Sequence, residues 1–257
     1  MNVAIIGSGN VAATLGRLIA KSEHKVIHIA SRDIGHAATL AKEFNAAFSD
    51  YKAIGEVNAD IFIIAVSDAA IMECTGNFNL NDKLVVHTAG SVSMDILKDT
   101  SENYGILYPL QSLRKEKINL PDIPFLIDGN SEEVIQFLEA FVHSLHCISQ
   151  RTNDNERLKL HAAAVIVSNF TNHLFALAEE FCNKENVPFD LLKPLINETA
   201  QRINDLSPGN LQTGPALRKD IITLDKHLKL LGEYPGLRSI YLKLTDSIMN
   251  YPSEKEQ

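Results

Sequence analysis

Gly7, Gly9 and Ala12 fall at the spacing of a turn that holds a diphosphate. Glycine at the first position permits a tight turn. At the second it lets the main chain approach the anion without a Cβ in between, and alanine at the third lets a helix pack closely. In Gly7-Ser8-Gly9-Asn10-Val11-Ala12 these residues follow Val3-Ala4-Ile5-Ile6 directly and open a segment where Val11, Leu15, Leu18 and Ile19 recur at helical spacing. A strand, a turn and a helix start in that order present unpaired N–H groups and the positive end of a helix dipole. The expected ligand is a dinucleotide, with Ser8, Asn10 and Val11 beside the two glycines.

The end of the second strand decides which dinucleotide. An Asp or Glu there would hold a ribose 2′-hydroxyl, whereas this chain reads Ala30-Ser31-Arg32-Asp33. A hydroxyl and a guanidinium suit a 2′-phosphate, so Ser31 and Arg32 favour NADP(H). Asp33 could orient Arg32 or bind a ribose itself, and an exposed arginine after a strand is the bland alternative. Val66, Ser67, Asp68, Thr88 and Gly90 follow later strands, where cofactors lie in open α/β sheets. Ser67 and Asp68 could equally cap a helix, and His87 could be a structural histidine.

A second group of polar residues lies far along the chain. In Leu160-His161-Ala162-Ala163-Ala164-Val165-Ile166-Val167-Ser168-Asn169-Phe170, apolar residues surround a line formed by His161 and Ser168, with Asn169 about 80° to its side on an ideal helix. Polar groups on a core helix need partners. Reduction of a carbonyl or imine needs a proton donor and an anchor, roles that His161 and Asn169 could fill with Ser168 beside them. Satisfaction inside the helical domain or at a dimer contact is the competing reading. Arg218 could clamp a substrate carboxylate or a cofactor phosphate, or pair with Asp220 at the surface.

These residues need elements to hold them. From residue 2 to about 150, strand-like runs at 3–6, 25–30, 61–66, 84–87, 106–108, 125–127 and 147–149 alternate with helical patterns, with 46–48 as a further short strand. This predicts an α/β fold: a Rossmann doubly wound parallel sheet followed by an all-helical C-terminal domain, with a coenzyme-binding domain at 1–151 and a helical substrate and dimerisation domain at 152–257. Asn153-Asp154 caps a helix running to about 181, a helix starts near Pro188, and two more follow at about 221–231 and 237–251.

The 257 residues are 45% hydrophobic and 22% charged, as in ordinary globular proteins. No run approaches the roughly eighteen unbroken apolar residues of a membrane span. A net charge of -8 disfavours extended nucleic-acid binding. Cys74, Cys147 and Cys182 suit free thiols in a cytoplasmic protein without a secretory leader. His143-Ser144-Leu145-His146-Cys147 lacks a second ligand cluster, so no metal is expected. A nucleophile elbow and a P-loop are both absent from the sequence.

The chain resembles a bacterial family of Rossmann-like proteins with a C-terminal domain of unknown function, in the 6-phosphogluconate dehydrogenase-like superfamily. The likeness rests on Ile5-Ile6-Gly7-Ser8-Gly9-Asn10-Val11, on the segment 60–68, on Val86-His87-Thr88-Ala89-Gly90-Ser91 and on Tyr108-Pro109-Leu110-Gln111-Ser112. It extends to His161-Ala162-Ala163-Ala164, Ser168-Asn169-Phe170 and Thr213-Gly214-Pro215. The resemblance implies an NADP-dependent oxidoreductase similar to pyrroline carboxylate reductase, deazaflavin-dependent NADP reductases and ketopantoate reductase, dimeric through its helical domain. Hydroxyacid dehydrogenases of that superfamily carry a catalytic lysine and an asparagine on the long helix. Here Asn169 matches the asparagine, but His161 takes the suitable face and Lys159 points roughly 160° away from it.

The leading expectation is a cytoplasmic homodimer that reduces a small carbonyl or imine acid with NADPH. The alternatives are a non-catalytic NADP(H) sensor module and a deazaflavin-dependent NADP reductase.

Overall fold

Strands apolar on both sides need cover on both sides, and the first strand shows how this chain meets that need. In the computed structural model, which describes residues 1–117 and 119–251, β1 (Asn2–Ile6) sends Val3 and Ile5 into one core and Ala4 and Ile6 into another. The first core is closed by α1 (Asn10–Ala20), α2 (Ile34–Phe44) and α4 (Glu132–Ser144). The second is closed by α3 (Asp68–Thr75) and by short turns contributing Ile54 and Leu97. The chain packs as two compact units, Met1–Phe170 and Thr171–Gln257.

The sheet adds β2 (Lys25–Ala30), β3 (Ala47–Ser49), β4 (Ile61–Ile64), β5 (Leu84–His87), β6 (Asn103–Pro109), β7 (Phe125–Gly129) and β8 (Ser149–Arg151). Its eight strands run in the order β3-β2-β1-β4-β5-β6-β7-β8. The order reverses direction between β1 and β4, the switch point beyond whose strand ends ligands bind in such sheets. The fully parallel expectation is corrected at one edge, where β7 runs antiparallel to β6 and β8 runs parallel to β7. The connection from β6 to β7 carries no helix among the described residues, and a parallel neighbour would need a crossover element there.

After β8 the chain enters α5 (Asp154–Ala164) through a reciprocal cap: Asn153 Oδ1 accepts from the Glu156 N–H at 3.0 Å, and Glu156 accepts from the Asn153 N–H at 3.1 Å. A π-turn at Val165–Phe170 follows. Its wider winding overturns the ideal-helix projection that put Ser168 in line with His161. The helix was also expected to lie in a core, yet Val167 is 73% and Phe170 60% exposed. By length and composition alone the helical run Asp154–Lys184 could cross a membrane, contrary to the reading of the sequence, and none of its most apolar window is buried.

The second unit consists of α6 (Thr171–Lys184), α7 (Lys193–Gln201), α8 (Ile221–Leu230) and α9 (Pro235–Met249). The helix expected from Pro188 starts later, because Phe189–Leu192 form a 3-10 turn and α7 begins with Pro194 in its first turn.

Candidate active site and coenzyme cleft

A cleft of about 250 Å³ opens where β1 and β4 end, lined by Gly7, Ser8, Gly9, Ser31, Arg32, Val66 and Ser67 among others. Gly7 has φ of +131°, and a Cβ there would collide with the Ala65 carbonyl oxygen. A Cβ on Gly9 would meet nothing within 4 Å, so the main chain faces open space. Gly9 caps α1 with no side-chain hydrogen bond, and the first turn carries no acidic residue. The leading amides of α1 are therefore open to an anion, and the cleft fits a dinucleotide diphosphate.

At the far side of the cleft, the Ser8 and Ser31 hydroxyls lie 3.0 Å apart. The Arg32 side chain is 75% exposed and reaches Glu73 only at 3.7 Å, a loose pair that leaves the guanidinium available to a phosphate. His36, Tyr51 and Glu73 also line the cleft, and the reading of the sequence missed all three. Burial pushes the Tyr51 hydroxyl above the ordinary phenol range, so it stays a donor. Asp33 caps α2 by accepting from the His36 N–H at 3.0 Å, and its carboxylate approaches the His36 ring at 3.5 Å.

The remaining candidates of this group lie outside the cleft lining. The Asn10 side chain accepts from the Lys115 N–H at 3.2 Å, and Val11 packs against the first core. Thr88 is buried, with both its N–H and its hydroxyl donating to the Ile64 carbonyl, at 3.1 and 3.3 Å. Ser67, which does line the cleft, holds the cap position of α3 without using its hydroxyl as a cap.

Asp68 leads to a second group. It accepts a short hydrogen bond from the Ser91 hydroxyl, next to Gly90. A Cβ on Gly90 would lie 2.5 Å from His161 Nδ1, so the imidazole rests on bare main chain. That same Nδ1 is 2.9 Å from the Tyr108 hydroxyl, with the rings edge to face at 5.8 Å between centroids. Burial, and after it the Asp68 carboxylate, hold the Tyr108 hydroxyl above its usual range; the Arg157 guanidinium opposes both. Tyr108 was not among the residues singled out for chemistry.

His87 is a structural histidine. It is fully buried; its Nδ1 accepts from the Ala89 N–H at 3.2 Å, so Nε2 donates to the Ser93 carbonyl at 3.3 Å. Burial drives its pKa down to about 4, leaving it neutral. Arg157, also buried, donates to the Val92 carbonyl at 2.5 Å and to Asp154 at 2.7 Å, tying α5 to the loop that carries Gly90.

Ser168 and Asn169 lie in the π-turn, Ser168 half-buried and Asn169 exposed, and no hydrogen bond to His161 joins them. Arg218 is exposed in the second unit, where Asp220 caps α8 by accepting from the Thr223 N–H at 3.1 Å. Among the described residues, no group of three His, Cys, Asp or Glu is arranged to hold a metal ion. Burial pushes the Cys74 thiol up to about 12, which makes it a poor nucleophile.

Residues 2–90 match the family described as NADP oxidoreductase, coenzyme F420-dependent, and residues 123–248 match the domain of unknown function DUF2520. The chain is 35% identical to a "putative NADP oxidoreductase" from Bacteroides fragilis, whose crystal structure superimposes with a TM-score of 0.88 over 96% of this chain and 97% of that one. A reductive aminase from Aspergillus terreus, solved with NADPH and ethyl-5-oxohexanoate, is 17% identical with a TM-score of 0.70, covering 96% of this chain and 92% of its own. A 1-pyrroline-5-carboxylate reductase from Streptococcus pyogenes is 14% identical with a TM-score of 0.64, covering 97% and 98%. The last two share the fold. No protein of curated function matches the chain.

Proposed function

The chain belongs to the NADP oxidoreductase family represented by the Bacteroides fragilis protein, and from that premise we propose that it reduces a small carbonyl or imine acid. One observation carries this reading. Val66 and Ser67 line the coenzyme cleft, while the next residue, Asp68, accepts the Ser91 hydroxyl beside Gly90 and His161. A single strand end thus borders both the dinucleotide cleft and a pair able to handle protons, His161 and Tyr108.

NADPH, when bound, supplies the hydride. The amides of Ser8 to Val11 hold its diphosphate, Gly7 donating instead to the Ala30 carbonyl at 2.7 Å, and Ser31 and Arg32 hold the 2′-phosphate. Val66, Ser67, Thr88 and Gly90 border it at the ends of β4 and β5. His161 governs the proton on the substrate heteroatom, and Ser168 and Asn169, in the same unit, orient the substrate. In this reading residues 1–151 bind the coenzyme, and residues 152–257 serve the substrate and the dimer.

A second copy of the chain covers the exposed helical surface. In the first unit Val167 and Phe170, and in the second Leu191 at 74% and Ile222 at 73%, are exposed apolar side chains of the kind such a partner covers. The run Asp154–Lys184 also carries Ser168, Asn169, Asn172 and His173. Unpaired polar groups cost several kcal/mol each in lipid, on the order given by transfer data, so a protein surface suits this helix better than a bilayer. Three free cysteines fit a cytoplasmic location.

The test is calorimetric titration of the native protein and Arg32→Ala with NADPH and NADH, followed by a panel of keto acids and cyclic imines. The expected result is NADPH-selective binding that Arg32→Ala weakens about tenfold or more, together with NADPH oxidation by a member of the panel. NADPH binding without oxidation across the panel would overturn the reductase reading in favour of a sensor. The family description matched by residues 2–90 names coenzyme F420, so a deazaflavin is the second candidate for hydride partner and belongs in the same panel.

A further inference from the structure

Resting on the reductase reading, the geometry points to a role for Tyr108 that goes beyond it: we propose that the Tyr108 hydroxyl delivers the proton to the substrate heteroatom and that His161 recharges it. A phenol oxygen can accept one hydrogen bond while donating another. His161 Nδ1, 2.9 Å away, occupies one side of that oxygen. The nitrogen engaged with Tyr108 is not free to face a substrate as well. The tyrosine is thereby placed between the imidazole and whatever lies beyond the end of β6.

The surroundings support this order. The absence of a side chain at Gly90 lets the His161 ring approach, and Arg157 locks α5 to the same loop through the Val92 carbonyl. The charged and titratable groups acting on Tyr108 are Asp68 from α3 and Arg157 and His161 from α5. His87 sits buried and neutral in β5, so it does not compete as a donor. Because burial and Asp68 keep Tyr108 protonated, it remains a loaded acid across neutral pH.

The step balances. Hydride adds to the unsaturated carbon of the substrate, and the π pair moves onto its nitrogen or oxygen. The Tyr108 O–H bond breaks as the new N–H or O–H bond forms. The tyrosinate takes the Nδ1 proton of His161 as Nε2 takes one from solvent, and proton exchange of the imidazole with solvent restores the Nδ1–H tautomer for the next turnover.

The experiment compares native protein, Tyr108→Phe and His161→Ala in single-turnover NADPH oxidation with the substrate found in the panel. NADPH affinity is measured calorimetrically, and tyrosinate absorbance is titrated without coenzyme. Tyr108→Phe is expected to slow the chemical step by about 10² to 10³-fold and to abolish its solvent isotope effect. Its NADPH affinity should stay within about twofold of native, which also reports an intact fold. Tyr51, Tyr234 and Tyr241 also titrate late, so the variant should show one late-titrating phenol fewer than the native protein, the one that belongs to Tyr108. His161→Ala should slow the step less and shift that phenol. Native turnover in Tyr108→Phe, or loss of NADPH binding in step with activity, would overturn the assignment of Tyr108 while leaving the reductase reading standing. A native protein that binds NADPH and reduces nothing in the panel overturns that reading, and the role of Tyr108 falls with it.

Discussion

The imidazole of His161 occupies the space that a side chain at position 90 would need: a Cβ on Gly90 would come within 2.5 Å of its Nδ1 and 2.7 Å of its Cγ. Both atoms belong to a ring held through that same Nδ1 by the Tyr108 hydroxyl, so the ring yields only by disturbing that hydrogen bond. Gly90→Ala is therefore expected to lower turnover by about tenfold or more, since sub-ångström misplacement at a reacting centre is costly. NADPH affinity, measured by calorimetry, should fall less than turnover does, and an unchanged turnover would show that the contact has no part in catalysis.

Gly7 and Gly9 are separated by the same logic. Alanine at 7 meets main chain and a positive φ, so Gly7→Ala should lose about 2 kcal/mol or more of stability in urea unfolding. Alanine at 9 meets open space. Gly9→Ala should unfold at the native denaturant midpoint, yet bind NADPH about tenfold more weakly, because the added methyl faces the diphosphate. A Gly9→Ala protein with native affinity would place the diphosphate elsewhere.

His87 sets a pH dependence of stability. Its pKa is near 6.5 when unfolded and about 4 when folded, so the unfolded chain binds the proton first as pH falls. The contribution is complete above about 6.5 and is lost progressively down to about 4, on the order of 3 kcal/mol in all. Buried His24 and half-buried His28 are shifted in the same direction. Urea unfolding at pH 7 and pH 4.5 should show His87→Gln losing about 2 kcal/mol less than native over that interval. Equal losses would mean that His87 does not carry the dependence.

Val167→Asp tests the dimer. The residue is 73% exposed in the chain, so a charge there is harmless to a monomer and costly at an apolar interface. Sedimentation should show dimeric native protein and a monomeric, folded variant. Monomeric native protein at micromolar concentration would remove the proposed partner.

The sequence made β1, β2, β4 and β5 easy to read, because strands covered on both faces appear as unbroken apolar runs such as Ile61-Phe62-Ile63-Ile64. The coenzyme turn was equally plain, since Gly7 and Gly9 sit within one local unit. The direction of β7 was hidden, because period-two alternation looks the same whichever way a strand runs. The π-turn at Val165–Phe170 was hidden too, and with it the true placement of Ser168 and Asn169, because propensity carries no mark for one extra residue in a turn. Tyr108 escaped notice for another reason. Its partner lies 53 residues away, and a phenol at a strand end has no linear signature until its neighbour is known. His36, Tyr51 and Glu73 reach the cleft from three separate segments, with the same result.

The Asn10 side chain, in the first turn of α1, holds the Lys115 N–H, and Arg17 about two turns along holds the Lys115 carbonyl at 2.5 Å. Residues at the mouth of the anion-receiving helix are thus latched to a segment a hundred positions downstream. Any movement of that helix start is transmitted to the latch, so fluorescent labels or amide-exchange probes near residue 115 would report events that occur at residue 10.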